Sequence, residues 1–320
     1  MRHILLFLLL ASAARLLVGI DGWGGGRAAD QVALGGIVRA DVNAGINPNQ
    51  FWQAGGKAIM NFSGCNGACA GGAQGYSTGG VQAITASIWA ANAVSTYQTD
   101  CGSATNCPAV EVLNEPGGSW FWGTGATSQA NANAYALLLQ AAYDAFHTRY
   151  GVNAPKILAS YDGGDSSSTT WGQLVWANTV GVNVNNYVDG VTAHPYGGPS
   201  NPAASALGNR ANVTAAHTAT GKPVWVTEVG WPTDCSSGCP TTVNATGDSM
   251  QWSQPQQATN IYNFVTWARG TGYVAEIDFY EYWDESGKAI YGVRTSGGTA
   301  KPGYTALQEA AASQPCTTCG

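Results

Sequence analysis

Two glutamates stand near the ends of apolar runs and could act as a pair. Glu115 lies in "AVEVLNEP" (109–116), where Pro116 cannot continue a central strand because proline lacks the N–H that the sheet requires. Glu228 lies in "PVWVTEVGW" (223–231). Two carboxyls that meet at one site are driven apart in pKa, because each disfavours the charged form of the other. One can then carry a proton while the other stays ionised.

Cleavage of a glycosidic bond is the reaction that such a pair suits. One carboxyl protonates the leaving oxygen, and the other attacks the sugar or stabilises its cation. Alternatively, each glutamate could be an ordinary strand-end carboxylate that accepts hydrogen bonds from loop amides. Two of them at corresponding strand ends favour the catalytic interpretation.

Strand-like and helix-like segments alternate along the 320 residues. The eight apolar runs that predict strands are 16–23, 36–42, 57–64, 109–116, 156–163, 189–197, 223–231 and 276–284. Helical periodicity is clearest over 79–97, 128–150 and 255–269. This alternation predicts a parallel sheet, and eight units favour a single-domain α/β fold, the (β/α)8 TIM barrel, over a doubly wound pair of domains.

Polar and aromatic residues follow the predicted strands at the end where barrels of this kind carry their active sites. They are Asn61, Asn114, Glu115, Asp162, His194, Tyr196, Glu228, Trp231 and Trp283.

The motifs around the two glutamates resemble those of glycoside hydrolase clan A, a group of retaining (β/α)8 enzymes. "VLNEP" resembles the clan's strand-four motif and "VWVTEVGWP" its strand-seven motif. The motif "TEVGWP" is similar to that of β-1,3-glucanases of family seventeen, whereas "EVLNEP" is closer to the motifs of families five and thirty-nine. The resemblance implies that Glu115 is the general acid/base and Glu228 the nucleophile.

The same resemblance implies supporting roles on strands four and six. Asn114 would hydrogen-bond the sugar 2-hydroxyl. His194 and Tyr196 in "HPYG" resemble a His-x-Tyr pair, with Tyr196 holding Glu228 ionised. Alternatively, His194 could be a structural histidine in a loop, with its hydrogen bonds satisfied and no contact with the substrate.

On other strands the implied roles each compete with a structural alternative. Arg39 in "IVRADV" matches an arginine that supports the nucleophile, but it could simply pair with Glu111 inside the barrel. Trp283 would form the sugar platform or else belong to the core. Trp231 and Asn61 are expected at the substrate as strand-end residues, although several family-five enzymes carry a histidine at the end of strand three.

The cysteines and the N-terminus indicate export. The eight cysteines fall in four close pairs: Cys65/Cys69, Cys101/Cys107, Cys235/Cys239 and Cys316/Cys319. Such pairs could bind zinc, but no histidine lies near them, so we favour disulfides and a location outside the cytoplasm. Residues 1–14 have the basic start, apolar run and Ala-Ser-Ala end of a signal peptide, or else form a hydrophobic lead-in to the first strand. The catalytic barrel would span 15–312 and a cysteine-containing tail 313–320.

Composition restricts the partner. Charged residues are 10% of the chain, against about 25% in typical soluble proteins, and the net charge is −6. The absence of a basic cluster argues against nucleic acid, and no apolar run is long enough to span a membrane as a helix. We expect a β-linked polysaccharide or oligosaccharide as substrate, a monomer, and neither a cofactor nor a metal.

The function predicted from the sequence is a secreted retaining glycoside hydrolase, an endo-β-glucanase acting on β-1,3- or β-1,4-glucan. Two alternatives stay open at this stage. One is an exo-acting β-glycosidase, and the other is a carbohydrate-binding barrel without turnover.

Overall fold

The computed structural model describes residues 16–22, 27–162, 170–198, 201–233, 251–284 and 290–319. Each strand pairs in parallel with the next, and β8 pairs with β1, so the sheet closes into the expected (β/α)8 barrel. The strands are β1 Leu17–Asp21, β2 Gly36–Asp41, β3 Lys57–Phe62, β4 Ala109–Val112, β5 Lys156–Ser160, β6 Gly190–Ala193, β7 Val224–Val229 and β8 Val274–Phe279.

Helices surround the barrel. They are α1 Ala28–Val32, α2 Asn49–Gln53, α3 Ala86–Asp100, α4 Ser119–Trp122, α5 Gln129–Tyr150, α6 Thr170–Trp176, α7 Pro202–Leu207, α8 Arg210–Thr220, α9 Gln254–Thr271 and α10 Pro302–Ala311. Two of the long helices, α5 and α9, begin at side-chain caps. The Ser128 side chain accepts a hydrogen bond at the start of α5, and Ser253 and Gln256 form a capping box on α9.

The barrel interior is built in two layers. Ile37, Ile59, Leu158 and Trp225, together with Ala109, form a separate buried apolar cluster near the N-terminal ends of the strands. Side chains two residues further along a strand lie on the same face. At those positions the interior changes to polar side chains: Arg39, Asn61, Glu111, Ser160 and Thr227. The apolar layer closes the bottom of the barrel and the polar layer supports its upper mouth.

Three of the four predicted disulfides are present. Cys65–Cys69, Cys101–Cys107 and Cys316–Cys319 are bonded, with Cα–Cα distances of 5.5, 5.7 and 5.7 Å. Cys235 and Cys239 lie outside the described residues, as does the expected signal peptide. Over the ranges that the structure describes, none of the helices combines the length and apolarity that crossing a membrane requires.

Candidate active site

Glu115 lies on a backbone bend that follows β4. Leu113 and Glu115 have φ angles of 62° and 44°, in the left-handed region that non-glycine residues rarely adopt. Such conformations cluster at functional sites, where the surrounding structure holds them in place. The Glu115 Oε1 atom is 2.8 Å from His194 Nδ1, and Oε2 accepts a hydrogen bond from Trp120 Nε1 at 2.8 Å.

An irregularity in β7 brings two consecutive side chains to the interior. Between Val226 and Val229, β7 advances three residues while β8 advances two, as in a β-bulge. Thr227 and Glu228 fall in this segment, and both contact interior side chains. The sheet therefore presents a hydroxyl and a carboxylate to the mouth from adjacent positions.

Glu228 is held on both carboxylate oxygens. Its Oε1 accepts a hydrogen bond from Arg39 Nη1 at 2.6 Å, and Oε2 accepts one from Tyr196 Oη at 3.0 Å. The His194 Nδ1 atom is 3.6 Å from Oε2. One carboxylate oxygen of Glu115, His194 Nδ1 or Nε2 and one oxygen of Glu228 all lie within 4.8 Å of one another. These atoms already hydrogen-bond to side chains, so we interpret the cluster as a hydrogen-bonded site.

The two carboxylates lie close together. Carboxyl groups in retaining enzymes are about 5–5.5 Å apart, whereas inverting enzymes separate them by about 6.5–9.5 Å to admit a water molecule. The distance of 4.8 Å or less between oxygens of Glu115 and Glu228 matches the retaining arrangement.

His194 links the acid side of the site to the barrel interior. Thr227 Oγ1 donates to Glu111 Oε1 at 2.8 Å, so it accepts from His194 Nε2 at 3.1 Å. That contact requires a proton on Nε2. Nδ1 lies 2.8 Å from the Glu115 carboxyl oxygen Oε1. His194 thus contacts the interior through Nε2 and the Glu115 carboxyl through Nδ1.

Arg39 is the central cation of the site. Its Nε donates to Glu111 Oε2 at 2.6 Å, and Nη2 donates to Asn114 Oδ1 at 2.7 Å. With the bond from Nη1 to Glu228, one buried guanidinium contacts side chains on β4, after β4 and on β7. Arg39 hydrogen-bonds both Glu111 and Glu228, so the two sequence interpretations of Arg39 do not exclude each other.

These contacts set the charge of the site. Burial alone raises the pKa of Glu228, but His194, Arg39 and the Tyr196 hydroxyl together bring that pKa below its ordinary value. Burial alone lowers the pKa of His194, but Glu228 and Glu115 raise it to about 10. At neutral pH the site holds an ionised Glu228 beside a protonated His194.

A cavity of about 540 Å³ opens above the two glutamates, within the size range of ligand sites. It is lined by Asp21, Gly22, Arg39, Asp41, Ala44, Gly45, Ile46, Tyr76, Asn114, Glu115, Phe121, Glu228, Tyr280 and Glu281. The rings of Tyr76 and Phe121 stack with centroids 4.4 Å apart and form an aromatic wall.

Five residues that the sequence assigned to the substrate are not part of this cavity lining. His194 and Tyr196 contact the two glutamates from behind it, and the other three lie apart. Trp231 is 2% exposed, donates to Ser205 O and packs edge-on against Phe264 of α9. Asn61 is 1% exposed and belongs to the polar layer inside the barrel. The Trp283 ring lies under the guanidinium of Arg27, 4.6 Å from its centre. The structure brings the other predicted residues together.

Sequence reasoning missed several members of the site. Thr227 gave no signal because a regular strand would place it on the opposite face from Glu228. Asp21 ends the first apolar run in "GID" and could have been found as an acidic residue at a strand end. Tyr76 and Phe121 come from loops whose path the sequence does not reveal.

A barrel with two convergent glutamates at its mouth is the arrangement expected of a glycoside hydrolase. The chain belongs to the family of the glycosyl hydrolase catalytic core, whose model matches residues 78–289, a range that includes both glutamates. No curated protein matches the chain by sequence.

Solved structures with the same fold include several glycosidases. An endo-1,4-β-xylanase from Penicillium canescens has a TM-score of 0.60 at 16% identity, with 96% of this chain and 97% of that chain covered. A family 128 endo-β-1,3-glucanase from Amycolatopsis mediterranei, in complex with laminaripentaose, has a TM-score of 0.55 at 15% identity, with 92% of this chain and 99% of that chain covered. A fungal β-1,4-galactanase has a TM-score of 0.62 at 16% identity, with 88% of this chain and 90% of that chain covered. These similarities establish the fold.

Proposed function

We propose that this glycoside hydrolase is a secreted endo-β-glucanase that retains the anomeric configuration. The observation that carries the proposal is the pair of carboxylate oxygens of Glu115 and Glu228 within 4.8 Å of each other. That spacing suits a double displacement, because it leaves no room for a water molecule to attack directly.

In the first step Glu228 attacks the anomeric carbon while Glu115 gives its proton to the leaving oxygen. Arg39 and Tyr196 keep Glu228 ionised and oriented for attack. In the second step Glu115 takes a proton from water, and the resulting nucleophile displaces Glu228 from the sugar. Each step moves one proton through Glu115.

The contact between Glu115 and His194 supports this double use of one carboxyl. When Glu115 loses its proton to the leaving group, the neighbouring imidazolium stabilises the new carboxylate across 2.8 Å. Asn114, fixed by Arg39, would bind the sugar 2-hydroxyl, a contact that strengthens in the transition state.

A neutral β-linked glucan suits the cavity. The aromatic wall of Tyr76 and Phe121 can stack on apolar sugar faces. The solved neighbours named above act on β-linked polysaccharides according to their titles, and the resemblance of "TEVGWP" to family seventeen favours β-1,3-glucan.

Export and a monomeric state complete the proposal. Three local disulfides are compatible with an oxidising compartment. Export also suits a polymer substrate that is too large to enter a cell.

The first test is release of reducing sugar from laminarin, a soluble cellulose derivative, xylan and mannan. We expect release from a β-glucan and retention of configuration in the first product, followed by NMR. Glu115→Gln should lower kcat by about 10²–10⁴-fold on polymer, the usual scale of general acid catalysis, and Glu228→Gln by at least as much. Glu309→Gln on α10 is the matched control and should leave activity unchanged.

Covalent trapping separates catalysis from binding alone. A 2-deoxy-2-fluoro glucoside with a good leaving group should label Glu228, as detected by peptide mass spectrometry. Tight binding without label would instead support a carbohydrate-binding barrel. Product length distinguishes the remaining alternative, because an exo-acting enzyme releases one short sugar from the earliest time points.

A further inference from the structure

The cavity wall holds a third carboxyl next to the two glutamates, Asp21 at the end of β1. Its side chain is 15% exposed and lines the cavity together with Glu228 and Asn114. The proposed mechanism gives it no role. Its surroundings indicate one.

Asp21 makes only a long hydrogen bond to the cation beside it. Its Oδ1 atom is 3.5 Å from Arg39 Nη1, at the outer limit of a hydrogen bond. The same nitrogen makes a bond of 2.6 Å to Glu228, and the other guanidinium nitrogens bind Glu111 and Asn114. Among the described residues, no further hydrogen bond reaches the Asp21 carboxyl.

Asp41 provides an internal comparison, since it is also a carboxyl of the cavity wall. It accepts hydrogen bonds from the Ser63 hydroxyl at 2.8 Å and from the backbone N–H groups of Asn43 and Ala44 at 3.0 and 3.2 Å. Within the described part of the chain, the protein thus satisfies one of these two carboxyls and leaves the other facing the cavity. A polar group in that position costs free energy unless a ligand supplies the missing partner.

The charge around Asp21 fits a neutral ligand. Burial raises the pKa of Asp21 well above its ordinary value, Arg39 opposes the rise, and the neighbouring carboxyls of Glu228, Asp278 and Asp41 add to it. A protonated carboxyl presents one donor and one acceptor. That combination matches a sugar hydroxyl, which also donates and accepts.

We propose that Asp21 binds a hydroxyl group of the sugar whose anomeric carbon faces Glu228, and thereby contributes to the choice of substrate. This inference rests on the proposed glycosidase function. The hydroxyl differs from the 2-hydroxyl, which the proposed function assigns to Asn114, a residue on a different guanidinium nitrogen of Arg39. Asp21 acts by binding substrate, and the proton transfers stay with Glu115.

Two substitutions separate this role from support of Arg39. Asp21→Asn keeps a neutral donor and acceptor of the same shape, so kcat/KM should stay within about threefold. Asp21→Ala removes both, and kcat/KM should fall by about tenfold, the scale of one hydrogen bond. If Asp21 serves only as a charge partner of Arg39, both variants lose activity alike, which overturns the proposal.

Deoxy substrates identify the contact directly. The probes are 2,4-dinitrophenyl β-glucoside and its 2-, 3-, 4- and 6-deoxy analogues. In the wild type one of the 3-, 4- or 6-deoxy forms should show a penalty that disappears in Asp21→Ala. The 2-deoxy penalty should survive in Asp21→Ala and disappear in Asn114→Ala, which makes it the internal control.

The outcomes distinguish the two proposals. Deoxy penalties that are identical in the wild type and Asp21→Ala, in an enzyme that degrades a polymer, refute the role of Asp21 alone. Failure of the wild type to release sugar from any polymer or from the glucoside refutes the proposed function, and the inference with it.

Discussion

Single hydrogen bonds determine what each carboxyl of the site can do. Glu228 contacts a guanidinium and a phenol and stays ionised, whereas Glu115 lies between an imidazole and an indole. The surroundings of the two glutamates therefore differ in both charge and polarity. This difference leads to two predictions at the scale of one atom.

Removal of the Tyr196 hydroxyl should shift the pH dependence of activity. Tyr196→Phe deletes a donor to Glu228, so the pKa of Glu228 rises. The nucleophile must be ionised, so the acid-side inflection of kcat/KM against pH should move to higher pH. Activity at neutral pH should fall by about ten- to a hundredfold, the scale of a hydrogen bond to a charged group.

Tyr262→Phe is the control for that measurement, since the Tyr262 hydroxyl bonds Gln314 O on the outer surface. Its pH profile should overlay the wild type. An unshifted inflection in Tyr196→Phe would contradict the role assigned to this phenol.

Trp120 should matter most when the leaving group is poor. The indole is 62% exposed and donates to Glu115, and Trp120→Phe keeps an aromatic ring but deletes that N–H. We expect kcat/KM for phenyl β-glucoside to fall about tenfold, because its departure depends on the proton from Glu115. The 2,4-dinitrophenyl glucoside needs little protonation and should be hardly affected.

Trp176→Phe deletes an indole N–H that bonds Asn185, remote from the cavity, and serves as the control. Equal losses on both glucosides in Trp120→Phe would show that the indole does not act through the acid.

At the scale of elements, the eight strands follow from the sequence because each is a short apolar run that ends in polar residues. The predicted run 57–64, for example, contains β3 at Lys57–Phe62. The helix predicted over 79–97 begins later in the structure, because α3 starts at Ala86 and a separate 3-10 turn at Val81–Ala83 precedes it. Helical spacing of apolar residues does not distinguish a continuous helix from a turn followed by one.

Only those site residues that stand in recognisable motifs near strand ends could be predicted from the sequence. Glu115, Glu228, His194 and Arg39 carry signals of their own in motifs. Trp231 was misleading, because a strand end does not specify which face a side chain takes, and this one packs outside the barrel against α9. The bulge in β7 has no recognisable pattern in "VWVTEV", so the contacts of Thr227 required the structure.

The capping box of α9 gives a prediction at this scale. Ser253→Ala removes the side chain that accepts the Gln256 N–H, and should lower the free energy of unfolding by about 1 kcal/mol. Urea unfolding measures the change, and kcat should be unaffected. Ser95→Ala, on the exposed face of α3, should leave stability unchanged or slightly higher because alanine favours helix. A Ser253→Ala variant as stable as the wild type would contradict the capping role.

At the scale of the whole molecule, buried carboxyl groups inside the barrel make stability depend on pH. Burial raises the pKa of Asp278 to about 8, with the charges of Glu111 and Glu228 adding to the effect and Arg39 opposing it. Such a group favours folding in its protonated form. Stability should therefore decrease as pH rises from the unfolded pKa of about 4 to the folded value near 8.

Unfolding in urea at pH 5 and pH 8 tests this. The wild type should be less stable at pH 8, and Asp278→Asn should reduce the difference because asparagine does not ionise. Asp144→Asn on the outer face of α5 is the control and should keep the difference. A larger pH dependence in Asp278→Asn than in the wild type would refute the assignment.

The two layers of the barrel interior separate the residues that stabilise the fold from those that support catalysis. Ile37, Ile59 and Leu158 form the floor, whereas Arg39, Glu111 and Thr227 form the support of the site above it. Repacking the floor can adapt this enzyme to heat while its reaction stays the same. Exchanging side chains at the rim can redirect it to another polysaccharide on an unchanged base. The architecture thus allows tolerance of temperature and choice of substrate to evolve, or to be engineered, independently.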